Sequence, residues 1–143
     1  MTKRQALVFQ WLLLAWFSLD MIGLCVPGFC LVEPALKEDG LFFGLYLAWV
    51  LAFIVRESIG QWLLTVWLGL WLITQLLAHE WYTLFGRGVM GPMAGKLEAF
   101  SNTLKWGDWP GRYVPDVYHT ILHLLILMAL IAMIRYVHSA RQR

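Results

Sequence analysis

Three observations predict an all-α integral membrane protein, a bundle of four transmembrane helices. Of 143 residues, 60% are hydrophobic and 14% charged, against about 25% charged in an ordinary soluble domain. The apolar residues gather into four runs, at about 6–26, 41–56, 59–79 and 114–135, and about 20 residues cross a bilayer. Lys and Arg gather at the termini and in the turn between the second and third runs. A soluble domain of this size has too much surface to hide so much apolar area. The composition also excludes a disordered chain and a basic nucleic-acid-binding tail. The length fits one membrane domain spanning 1–143.

The first run reads Trp11-Leu-Leu-Leu-Ala-Trp16-Phe17, is interrupted by Asp20 and ends near Pro27-Gly28. Its length, its internal carboxylate and the lack of a small-x-small cleavage site favour a retained helix over a signal peptide. The second run, Leu41 to Val55, is short for a span and is closed by Arg56-Glu57-Ser58, which implies a tight helical hairpin into the third. All four runs are expected to be helical, because lipid offers no partner to an unpaired backbone group. Lys3, Arg4, Arg56, Arg135, Arg141 and Arg143 place both termini and the Arg56 turn on the cytoplasmic side of an inner or plasma membrane of bacterial type. In the long third connection Met93, Leu97, Phe100 and Leu104 recur at helical spacing. They predict a short amphipathic interfacial helix at about 93–105, acting as a surface anchor or as a lid.

The few polar groups inside the runs carry the functional expectation, since each costs about 2.5–3.5 kcal/mol at the bilayer centre. Gln61, Thr65, Gln75 and His79 of the third run fall within about 80° of one another, and Asp116, His119 and His123 of the fourth within about 60°. Asp20, His79, Glu80, Asp116, His119 and His123 share one leaflet under this topology. Three chemistries would use them. His79, Glu80, His119 and His123 could ligate a divalent metal. His119, His123, Asp116 and Asp20 could perform acid–base catalysis, with Arg87 and Arg112 holding a phosphate. His79 opposite His119 or His123 could ligate haem, the weaker cofactor alternative. The plainer reading is a hydrogen-bond network fastening helices, at about 0.6 kcal/mol per bond.

Cys25 and Cys30 flank the Pro27-Gly28 bend and form a candidate disulfide. A cysteine pair near an outer helix end resembles four-helix thiol oxidases that pass electrons to quinone, in architecture only. Their Cys-x-x-Cys spacing and second cysteine pair are absent. Outward-facing His and acidic groups likewise resemble, in architecture, small four-helix enzymes acting on lipid headgroups or lipid-linked precursors. The expected function is a membrane-embedded enzyme, metal-dependent or acid–base, acting on a lipid or lipid-linked substrate. The alternatives are a non-catalytic subunit of a homo-oligomer or larger membrane complex, and a b-type haem carrier. No nucleic-acid partner is expected.

Overall fold

The computed structural model describes residues 1–107 and 109–142. It is mostly helical, with four helices long and apolar enough to cross a membrane. These are α1 (Lys3–Ile22), α2 (Leu36–Val55), α3 (Glu57–Ala78) and, after two short helices, α6 (Val117–Arg141). The short ones are α4 (Glu80–Phe85), which prolongs α3, and α5 (Met93–Ala99). A hairpin of β1 (Leu24–Val26) and β2 (Phe29–Val32) leaves the end of α1.

The chain runs up and down, so α1 packs on α2 and α6, and α3 packs on the same two. Both termini lie at one end, where the Met1 ammonium donates to Ser139 Oγ at 2.9 Å. Lys3 of α1 bonds the Ile54 carbonyl and pairs with Glu57 at 3.0 Å. Tyr136 of α6 also donates to Glu57, so all four helices are laced there. Mid-bundle, Gln10 donates to the Ala129 carbonyl, and the Tyr46 hydroxyl donates to Gln10. The remaining core is apolar and aromatic: Phe17, Phe42, Tyr46 and Trp71 meet at ring separations of 4.8–6.5 Å. Large apolar side chains such as Leu12, Val66, Leu70, Ile73 and Leu124 face outward, the reverse of a soluble surface and the pattern expected of helices in lipid.

The element bounds differ from expectation in four places, and the last of them is the fourth span, expected at 114–135, which begins at Val117 after the Asp116 N-cap and runs on to Arg141. The first helix stops at Ile22, before 26, because Gly23 takes φ 72°, and a Cβ there would lie 2.7 Å from Pro34 Cδ. Leu24 to Val26 is apolar enough to read as continued helix, yet it pairs with Phe29 to Val32. The second span begins at Leu36, five residues before 41, because Lys37, Glu38 and Asp39 form its polar first turn. The interfacial helix covers Met93–Ala99, not 93–105. Beyond Phe100 the chain becomes extended and docks on the hairpin. Cys30 N–H donates to the Asn102 carbonyl at 2.9 Å, Leu104 N–H to the Cys30 carbonyl at 2.8 Å, and Val117 N–H to the Leu104 carbonyl at 2.8 Å. Residues 100–105 thus form a strap across the loop end of the bundle.

Candidate functional site

The loop end holds the polar cluster. Asp116 is the N-cap of α6, where a carboxylate satisfies orphan N–H groups and complements the helix dipole. Its Oδ1 accepts from His119 N–H and from His119 Nδ1, both at 2.8 Å. Asp116 is 1% exposed, and its Oδ2 has no hydrogen-bond partner. With Nδ1–H committed to the carboxylate, His119 presents Nε2 as an acceptor.

The other two imidazoles are held separately. His79 ends α3, and its Nδ1 lies 2.5 Å from the Tyr113 hydroxyl. Burial, reinforced by the charges of Asp116 and Glu80, raises the Tyr113 phenol above its ordinary value. Tyr113 therefore stays protonated and donates to His79. One turn into α6, His123 bonds Glu80 Oε1 through Nδ1 at 2.7 Å and the Gln75 amide through Nε2 at 3.1 Å. A neutral imidazole satisfies both partners with the amide turned to present its NH2 group. The rings lie together: His79 and His119 stack with centroids 4.2 Å apart, and His79 meets His123 at 5.3 Å.

The strap and α5 roof this cluster. The Phe100 ring packs against His119 at 5.1 Å and His79 at 5.4 Å. Lys96 places Nζ 4.5 Å from the centre of the Phe100 ring and 5.4 Å from that of Tyr113. Burial holds the Lys96 ammonium down at about 8, against a partial pull upward from Asp116 and Glu80. Between the two alternatives for this segment, the geometry is that of a cover on the cluster, not of a surface anchor alone.

Beside the roof a cavity of about 420 Å³ is bordered by Asp20, Glu33, Glu38, Asp39, Phe100 and His119, among others. A smaller cavity of about 120 Å³ also touches Asp20, Asp39 and His119, with Phe17, Trp71 and Tyr118 among its walls. Asp20 is 5% exposed and borders both cavities together with Asp39 of α2, while its Oδ2 has no partner. His119 is thus the imidazole that borders both cavities.

Of the expected site residues, the fold brings Asp20, His79, Glu80, Asp116, His119 and His123 to one end of the bundle. Arg87 and Arg112 border neither cavity; both are exposed, and Arg112 lines a separate hollow of about 100 Å³ with Lys105 and Trp109. Gln61 and Thr65 sit near the opposite end, where Gln61 Nε2 bonds the Ser58 carbonyl and Thr65 Oγ1 the Gln61 carbonyl. Cys25 and Cys30 form a disulfide across the hairpin. Tyr113, Lys96, Phe100 and Asp39 belong to the site but escaped the helix-spacing argument, which compares residues within one helix.

Among the described residues, no three His, Cys, Asp or Glu side chains are grouped so as to hold a metal ion. Each Nδ1 has a different partner, Tyr113 for His79, Asp116 for His119 and Glu80 for His123. The faces of His79 and His119 are stacked at an interplanar angle of 24°. No family model, curated protein or solved structure matches this chain.

Proposed function

We propose that the chain is a small membrane-embedded enzyme performing acid–base chemistry on a lipid or lipid-linked substrate, with both termini cytoplasmic. The observation that carries this reading is the Asp116–His119 pair, a buried carboxylate orienting an imidazole that borders a cavity on the opposite side from the termini. In the proposed mechanism, His119 Nε2 takes a proton from water or a lipid hydroxyl as that oxygen attacks the substrate, and returns it to the leaving group. Asp116 stabilises the transient imidazolium. His79 and His123 pack around the His119 ring, and Phe100 shields it from bulk water. The substrate enters laterally or beneath the strap, its chains remaining among the outward apolar residues.

The test is lipid mass spectrometry of membranes from cells overproducing the protein. Wild type is expected to change the abundance of at least one lipid class. His119→Gln and His123→Ala are expected to abolish the change while accumulating as folded protein. A wild-type profile identical to that of cells lacking the protein would reject the enzyme reading, and a change kept in His119→Gln would remove His119 from the mechanism. A second reading, a non-catalytic component packed among partners, is favoured by the groove of about 260 Å³ lined by Trp49, Trp62, Leu63, Val66, Trp67 and Leu70. Cross-linking in mild detergent tests it, and a strict monomer counts against it.

A further inference from the structure

The walls of the larger cavity differ in charge from the rest of the chain. Asp20, Glu33, Glu38 and Asp39 border it, and among the described residues no Lys or Arg borders it or its smaller neighbour. Asp20 makes this more than a surface cluster. The side chain is 95% buried, has an oxygen with no hydrogen-bond partner, and lies beside Asp39, a second carboxyl. A buried carboxylate left unpaired beside a like charge is costly, and a cation between the two removes both penalties. A cavity of about 420 Å³ is roomy for an organic group, and among the described residues the carboxylates are not grouped as metal ligands are.

We propose that this cavity binds a primary ammonium group, with Asp20 and Asp39 accepting its N–H donors and Glu38 adding charge at the mouth. Three N–H donors on one small cation match carboxylates on two helices better than a quaternary ammonium, which has no donor to offer. The site names the substrate class of the proposed enzyme, and so rests on that reading: an amphiphile with an aminated headgroup, whose adjoining ester or phosphate would lie near His119. A free amine presents the same chemistry, and the experiment separates the two sources.

Binding is measured by calorimetry on the detergent-solubilised full chain, using dihexanoyl phosphatidylethanolamine, dihexanoyl phosphatidylglycerol and ethanolamine as probes. The ethanolamine lipid is expected to bind saturably, about tenfold or more tighter than the glycerol lipid, the range of a lost hydrogen bond to a charged group. Asp20→Asn, nearly isosteric, is expected to remove that preference, and Asp39→Asn to do so if the first variant fails to fold. Ethanolamine binding as tightly as the lipid supports the ammonium site with a free amine as its source; much weaker binding supports the lipid. Equal affinity for the two lipids, or an unchanged preference in both folded variants, overturns the proposal. His138→Gln, an exposed change near the far end of α6, is expected to keep the preference within about threefold, because it is remote from both carboxyls. A wild-type protein that binds the ethanolamine lipid with this preference yet changes no lipid class in cells would defeat the enzyme reading while leaving the ammonium site standing.

Discussion

Asp116 does two things through one oxygen, and they can be pulled apart. As N-cap it bonds the His119 backbone; as orienter it bonds the His119 ring. Asp116→Ala should lose both, costing about 0.5–2 kcal/mol in thermal unfolding from the cap alone. Asp116→Asn keeps an acceptor for the cap, so stability should stay near wild type, while any His119-dependent activity falls because the negative charge facing Nδ1 is gone. Equal losses of stability in the two variants would show that Asp116 is purely structural. Lys96 gives a pH signature. Its ammonium titrates near 8 when folded against an ordinary 10.5, so between those values the unfolded chain binds more protons and stability rises with pH. Below about 8 the burial penalty is fully present. Wild type should therefore gain stability relative to Lys96→Met from pH 8 to 10, read as a difference in unfolding midpoint. A flat difference would mean that Lys96 is solvated. At this scale the helix faces were legible: the spacing of Asp116, His119 and His123 placed them together. Tyr113 was not, since it reaches His79 from a loop whose path no periodicity encodes; nor was the placement of Lys96, since spacing marks its helix but not where that helix docks.

The helices were legible as elements because long apolar runs with few charges leave few alternatives. Their ends were not, because the determinants are tertiary. Gly23 reads as an ordinary residue in an apolar stretch until Pro34 crowds it. The strap is a case of tertiary override: Phe100 and Leu104 have helical spacing, but the edge of β2 takes the backbone groups of Asn102 and Leu104. Close approach of elements also decides what a glycine is for. A Cβ on Gly60 would lie 2.2 Å from the Phe53 nitrogen in the α2–α3 hairpin, whereas one on Gly69 meets nothing within 4 Å. Helix propensity alone favours alanine at both by about 1 kcal/mol. Gly69→Ala should therefore raise the unfolding temperature in detergent, and Gly60→Ala should lower it by the equivalent of about 1–3 kcal/mol, the usual range for overpacking. A Gly60→Ala protein as stable as wild type would mean that the hairpin opens without cost. The disulfide belongs to the same argument. Cys30 carries the strap on its backbone, so reducing Cys25–Cys30 should speed amide exchange at Asn102–Leu104 before it affects α1 or α6.

For the whole molecule, the charge distribution follows the two ends of the bundle more than its helices. By sequence, Glu57 is the one acidic residue near the termini and the α2–α3 turn, while the remaining carboxylates belong to the loop end. Basic residues are shared more evenly, and that weakens a simple count by the positive-inside rule. The fold reduces the weight of one opposing charge: Lys96 is tucked over Phe100 and Tyr113, though Arg87 and Arg112 remain exposed. Lys3, Arg4, Arg56 and Arg141, by contrast, sit at or beside helix ends, and Arg135 lies six residues inside α6. For four helices long and apolar enough to cross a membrane, with the termini at one end, the orientation is a single binary choice. Green fluorescent protein fused after the C-terminus should therefore fluoresce, and alkaline phosphatase there should be inactive. Alkaline phosphatase inserted in the 86–91 turn, away from the strap, should be active. The opposite pattern would move the His119 cavity to the cytoplasmic face, where its substrate would have to come from the inner leaflet and where a reducing environment would open the Cys25–Cys30 bridge that anchors the strap.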